Sequence, residues 1–250
     1  MELPSRVPIG IMSLDIQALE RFYDSRIGQV TRRLIFRRIR GAWPNVAGQR
    51  VLGLGYASPY MRPFVGEAER IIAAIPEGFG AAPFGTSSGL CSTVIVDDLA
   101  LPFPDAFFDA VLVVHGLETA EAQRPFLREL WRVLTPAGRL QIVAPNRASL
   151  WAQLDSSPFG HGQPYSRGQL DRLLKQALFS PERWDAALFM PPWGRNPSLR
   201  AGRAWERVGH TAWPRLAGVH LVDATKSMYV PSLVVKKRRA VLRPAMAYGR

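Results

Sequence analysis

The chain's 250 residues, 47% of them hydrophobic, suffice for one full core and for one α/β domain with additions. A single cysteine, Cys91, excludes an internal disulfide, and the four histidines (His115, His161, His210 and His220) lack the close spacing of a metal site. The formal net charge of +12 is concentrated towards the two ends, which admits an anionic partner, either nucleic acid or a membrane surface.

From the start, Met1-Glu-Leu-Pro shows no charged-then-apolar leader and no apolar run reaches spanning length, so the chain reads as cytoplasmic. Between Leu14 and Arg40, residues Leu19, Phe22, Tyr23, Ile27, Val30, Leu34 and Ile35 recur at helical intervals among arginines. This predicts one or two helices whose arginines form a wet face, and residues 1–44 are assigned to a helical cover. The segment Arg50 to Pro59 then runs from a short apolar strand into a small-residue turn and a helix start. Gly53, Gly55 and Ala57 carry little or no side chain, so a ligand can approach the backbone while the following helix offers unpaired N–H groups. The same pattern also suits a plain strand-to-helix turn.

Ser92 to Asp98 is a β-branched run ending in two carboxylates, and Ala110 to His115 is a second apolar run; both fit buried parallel strands. Glu121 to Leu134 carries Phe126, Leu127, Leu130, Trp131 and Leu134 at helical spacing. The helix is expected to stop at Thr135-Pro-Ala-Gly138, with the next strand from Arg139 to Ala144. Beyond it, Ser166 with Gln169 has the spacing of a capping box. Pro181 to Met190 and Gly218 to Tyr229 are expected as the last two strands, joined through a helix over Ser198 to Trp213. Residues 236–250 form a basic tail. The fold class is a three-layer α/β sandwich with a mostly parallel, Rossmann-like seven-stranded sheet, its main domain spanning residues 45–235.

Four segments together resemble the class I S-adenosylmethionine-dependent methyltransferases, in particular the small-molecule enzymes of type 11. They are Val51 to Pro59 for the glycine-rich motif, Asp97 to Asp105 for an acidic-x-x-x-Leu-Pro-Phe segment, Phe108 to Glu118 for the fourth strand, and Leu130 to Leu140 for the helix and turn before strand five. The departures are specific. Gly53 stands where the family has an acid, Ala57 and Pro59 replace glycines, and no carboxylate follows the second strand until Glu77, late in register.

The resemblance implies S-adenosyl-L-methionine as cofactor and a small-molecule acceptor. It implies that Asp97 accepts from the adenine amino group, that Asp98 and Leu99 flank the ring, that Glu77 substitutes for the ribose acid, and that Gly53, Gly55 and Ala57 make room for the rest. An open hollow above the first strand is therefore expected. His115 lines the cofactor, removes a substrate proton, or is a structural histidine; Glu118 reads as an exposed loop acid. His161, Tyr165 and Arg167 are candidate substrate groups, His161 also as a catalytic one, with an ordinary polar turn as the alternative. Tyr23 and Trp151, with Phe22 and Phe159, would roof an apolar pocket, while Trp151, Trp184 and Trp193 also suit core or lid packing. Two other functions stay open: a catalytically silent relative acting as a binding or regulatory module, favoured by the altered loop, and an RNA methyltransferase, favoured by the charge.

Overall fold

The computed structural model describes residues 15–80, 91–154, 156–192 and 198–227. Seven strands form one sheet: β1 (Arg50–Gly55), β2 (Arg70–Pro76), β3 (Cys91–Val96), β4 (Phe108–Val114), β5 (Leu134–Pro145), β6 (Phe179–Ala187) and β7 (Val219–Lys226). Their order is β3-β2-β1-β4-β5-β7-β6. The first five run parallel, and β7 enters antiparallel between β5 and β6.

Alternation along these strands explains why they are apolar on both faces. Val51, Ala110, Leu112 and Val114 face one core together with α1 (Ile16–Asp24) and α2 (Arg26–Ala42). Leu52, Leu54, Val111 and Val113 face the other, under α4 (Gln123–Val133) and α5 (Arg167–Gln176). The three-layer sandwich expected from the sequence is thus formed, with the N-terminal helices as one cover. Ser25 both ends α1 and caps α2, its side chain accepting from Gly28 N–H. Asp223 on β7, buried, accepts from Trp43 Nε1–H at 3.1 Å and is paired with Arg139 of β5, which ties the end of α2 to the sheet.

The Leu-Pro-Phe segment between β3 and β4 has a structural employment. Arg132 of α4 donates to the carbonyls of Leu101 and Phe103 at 2.8 Å each and to Asp105 at 2.7 Å, and Leu101 N–H donates to Glu129. Those carboxylates hold the guanidinium above its ordinary range, and Arg132 holds Glu129 below its own. The clamp fixes the chain that leaves β3.

Two elements differ from expectation. The helix after β1, α3 (Ser58–Met61), is one turn followed by a 3₁₀ turn at Arg62–Phe64, so it supplies no extended row of free N–H groups. Strand β5 begins at Leu134 instead of Arg139: Leu134 pairs with Phe108, and Thr135 to Gly138 form an irregularity within the strand before pairing resumes at Arg139. The remaining helix, α6 (Leu199–Ala212), and the Ser166–Gln169 capping box stand where the sequence places them. The basic tail, Trp193, and most of the Gly/Pro-rich stretch after β2 lie outside the described residues.

Candidate active site at the C-terminal rim

In a parallel sheet, side chains beyond the carboxyl ends of the strands converge on one rim. Pro76 of β2 pairs with Val96 of β3, so Glu77 and Asp97, the next residue of each chain, leave the sheet side by side. Both are exposed. Strands β2 and β3 thus end level with each other. Asp97 Oδ1 accepts from Leu99 N–H at 2.8 Å, closing a small turn over Asp98 and Leu99. Asp98 is half-buried, and burial together with the Asp97 charge raises its pKa.

One strand over, β1 and β4 end in backbone-to-backbone contact. Gly55 has φ +80°, and a Cβ there would overlap the Val114 carbonyl oxygen, so only glycine fits. Tyr56 N–H donates to that same carbonyl at 2.7 Å. His115 follows with φ +54°, a left-handed conformation that is uncommon for a side chain of its size. The turn projects its ring into a buried chain of polar groups. Tyr60 O–H donates to Tyr23 Oη at 2.9 Å, Tyr23 Oη lies 2.8 Å from His115 Nε2, and His115 Nδ1 lies 3.1 Å from Glu118 Oε1. His115 is 1% and Glu118 3% exposed.

Burial pushes the phenols of Tyr23 and Tyr60 far above their ordinary range and that of Tyr56 up to about 12. All three therefore keep their protons. One assignment then satisfies the chain: Tyr60 to Tyr23, Tyr23 to His115 Nε2, and His115 Nδ1–H to the Glu118 carboxylate. Glu118 Oε2 is buried without a partner among the described residues. It is an acceptor that an ammonium or hydroxyl donor would satisfy.

These rings also close the space above β1. Tyr23 stacks on Tyr56 at 5.4 Å and meets Tyr60 edge-on at 6.0 Å, while Phe159 lies 4.9 Å from the His115 ring. Beneath them Met61 fills the volume that a side chain at Gly53 would need, and Ala57 is buried beside it. The open hollow expected from the sequence is thus absent at this end. The glycines at the end of β1 admit Met61 and the Val114 carbonyl, and tyrosines take the space above. Set against S-adenosylmethionine, the rim fits in part. Glu77 and Asp97 suit the hydroxyl and amino donors of the nucleoside, and the Glu118 acceptor suits an ammonium, whereas Tyr23 fills the space against Tyr56 and His115.

The other sequence candidates divide. Tyr165 is buried, with its O–H donating to the Leu117 carbonyl at 3.1 Å, and burial raises its pKa. It braces the His115–Glu118 turn. His161 lies in the loop that docks on the same turn, where Gln163 N–H donates to the Glu118 carbonyl at 2.8 Å. Trp151 is core packing, its indole N–H bound to the Met190 carbonyl and its ring against Phe22 and Phe159. Phe22, Ile27, Trp151, Ser157 and Pro192 line a cavity of about 440 Å³ beside this wall. Arg167 is elsewhere: its guanidinium lies 4.9 Å over the Trp184 ring on β6, three strands from β4, about 14 Å at sheet spacing. The sequence reading missed Tyr60 and misplaced Glu118, although the His115-x-x-Glu118 spacing, i to i+3 beyond a strand, was the available signal.

Residues 81–142 match the family model described as a methyltransferase domain. A demethylmenaquinone methyltransferase of Deinococcus radiodurans is 40% identical over 70 residues, 27% of this chain and 29% of the relative. A ubiquinone/menaquinone biosynthesis C-methyltransferase UbiE of Yersinia pestis is 37% identical over 106 residues, 38% and 42% respectively. The chain spans less than half the length of these curated relatives. Among solved structures, a possible histamine N-methyltransferase from Thermotoga maritima superposes with a TM-score of 0.56 at 14% identity, covering 87% of this chain and 98% of that one. The [4+2]-cyclase SpnF superposes at 0.55 and 20% identity, covering 77% and 80%. At such identities the likeness is one of fold. Sheet order and the matched segment agree: residues 81–142 match the methyltransferase-domain family, and the described residues share their fold with S-adenosylmethionine-dependent methyltransferases.

Proposed function

We propose that this protein is an S-adenosylmethionine-dependent methyltransferase acting on a small lipophilic ring acceptor, with His115 as the base. The observation that carries the reading is the buried His115–Glu118 pair at the end of β4, held beside the β1 loop by the Val114 carbonyl. Bound S-adenosylmethionine would supply an already activated methyl group, leaving the chain to bind, orient and move one proton. Glu77 and Asp97 would hold the nucleoside. Glu118 fixes the Nδ1–H tautomer and would stabilise the imidazolium formed when Nε2 takes the acceptor's proton. Nε2 is engaged by Tyr23, so that phenol has to yield its place to the acceptor's own donor. The cavity walled by Phe22, Ile27 and Trp151 suits an apolar ring, and the names of the relatives support a quinone-like acceptor.

A second reading rests on the tyrosines that fill the rim: a silent scaffold with the fold and no methyl transfer. The fold alone leaves this open, since one neighbour is titled a cyclase. Titration calorimetry with S-adenosylmethionine and S-adenosylhomocysteine separates the two. Saturable heat for both ligands is expected; no heat at millimolar ligand leaves only the scaffold.

A further inference from the structure

Among the described residues, the large apolar side chains left exposed are not scattered. Five stand out, and three of them, Trp205 (41%), Val208 (54%) and Leu216 (53%), lie on α6 and the turn that follows it. Trp205 packs on Trp213, their centroids 6.0 Å apart, so the rings form one patch. Why α6 lies this way follows from its buried side. A Cβ at Gly202 would crowd Val30 and Leu34 of α2, and one at Gly209 would overlap the Phe189 ring, so these glycines seat the helix flush against its neighbours. Glu206 turns inward with them, accepting from Phe189 N–H at 2.9 Å and meeting Arg38.

That inward turn uses the only acid on the helix. The outward half holds Arg200, Arg203 and Arg207 in one stripe and Ala201, Ala204, Trp205, Val208 and Ala212 in the next, by 3.6-residue periodicity. Arg215 follows in the turn. None of these four arginines has a carboxylate partner among the described residues, and Arg203 and Arg207 join Arg37 around a cavity of about 700 Å³. A solvated helix face ordinarily mixes both signs of charge. This one carries bare cations beside bare hydrocarbon.

From this we infer that α6 and its following turn are a docking face for an anionic lipid bilayer, with arginines on the headgroup phosphates and Trp205, Val208 and Leu216 in the interface. Charge complementarity selects the occupant. The chain's own segment 228–250 contains six basic residues and no acid, so it cannot neutralise the stripe. Nucleic acid would meet the arginines but leave Val208 and Leu216 in water, because aliphatic groups offer bases no stacking face. No helix among the described residues is long and apolar enough to cross a membrane, so the contact is one of lying on the surface. This inference is independent of methyl transfer.

The test is flotation of the full chain with vesicles of phosphatidylcholine containing phosphatidylglycerol, against phosphatidylcholine alone. The chain should float with the anionic vesicles only. Replacing Arg200, Arg203 and Arg207 together by Gln should weaken binding about a hundredfold, at roughly fivefold per charge. Trp205→Ser with Val208→Ser should also release the chain, while neutralising Lys236, Lys237, Arg238 and Arg239 should leave the α6 dependence in place. Unchanged melting and circular dichroism would show that the variants fold. As a second measurement on folded protein, brominated phosphatidylglycerol should quench tryptophan emission, and part of that quenching should vanish in Trp205→Phe. Absence of flotation, equal flotation of the α6 variants, or binding to homopolymeric RNA without binding to vesicles overturns the inference.

Discussion

The two halves of the rim are built on opposite principles. Beyond β2 and β3, Glu77 and Asp97 stand exposed on short turns, and the shape is set by a distant clamp through Arg132. Beyond β1 and β4, Tyr60, Tyr23, His115 and Glu118 are buried and hydrogen-bonded in a chain, with Tyr56 buried and stacked on Tyr23. A carboxylate in water can capture a polar ligand at little cost to the fold. A buried histidine–carboxylate pair is held by its neighbours and keeps its tautomer before anything arrives. Under the proposed function the difference separates holding a molecule from acting on it, and it makes the two halves separately breakable.

The largest effect is expected in the buried half. His115→Ala should lower kcat by on the order of 10²–10⁴-fold while cofactor affinity stays within a few-fold, measured by single-turnover kinetics beside calorimetry. Equal losses in both would mean that His115 binds and does not act. In the exposed half, Asp97→Ala should weaken S-adenosylhomocysteine binding about 10–100-fold with melting unchanged. Unaltered affinity there would place the nucleoside elsewhere on the rim. Smallest of the three, Tyr23→Phe removes the phenol that links Tyr60 to His115 within the buried half. It should lower stability by about 1 kcal/mol and tighten cofactor binding a few-fold, because the closed arrangement loses its hydrogen bond to His115. Weaker binding instead would make Tyr23 part of the site and not an obstacle to it.

Most of the scaffold was legible because it depends on local periodicity: the β-branched runs became β3 and β4, the apolar stripe of 121–134 became α4, and Ser166 with Gln169 closed the expected capping box. What local pattern cannot show is which side chains another element covers. Glu118 reads as a loop acid until Tyr165 and the 158–165 loop are laid over it. Tyr60 carries no pattern of its own until α1 brings Tyr23 against it and Tyr56. Arg167 sits beside two promising neighbours in sequence, yet its position at the start of α5 aims it at Trp184. The shortness of α3 has a similar cause, since Pro59 and Pro63 stiffen a segment that packs by Tyr60, Met61 and Phe64 instead of by helical length.

The seating of Gly162 has a further consequence. A Cβ at this residue would strike the Glu118 carbonyl, and its neighbour Gln163 donates to the same oxygen. The loops after β4 and β5 are therefore stapled through one peptide group. Lengthening or recolouring the second loop would, in this chain, drag Glu118 and its partner His115 along with each change. Such changes would have to evolve by paired substitution across the staple, since the α1 side is tied to the same turn through Tyr23 and His115.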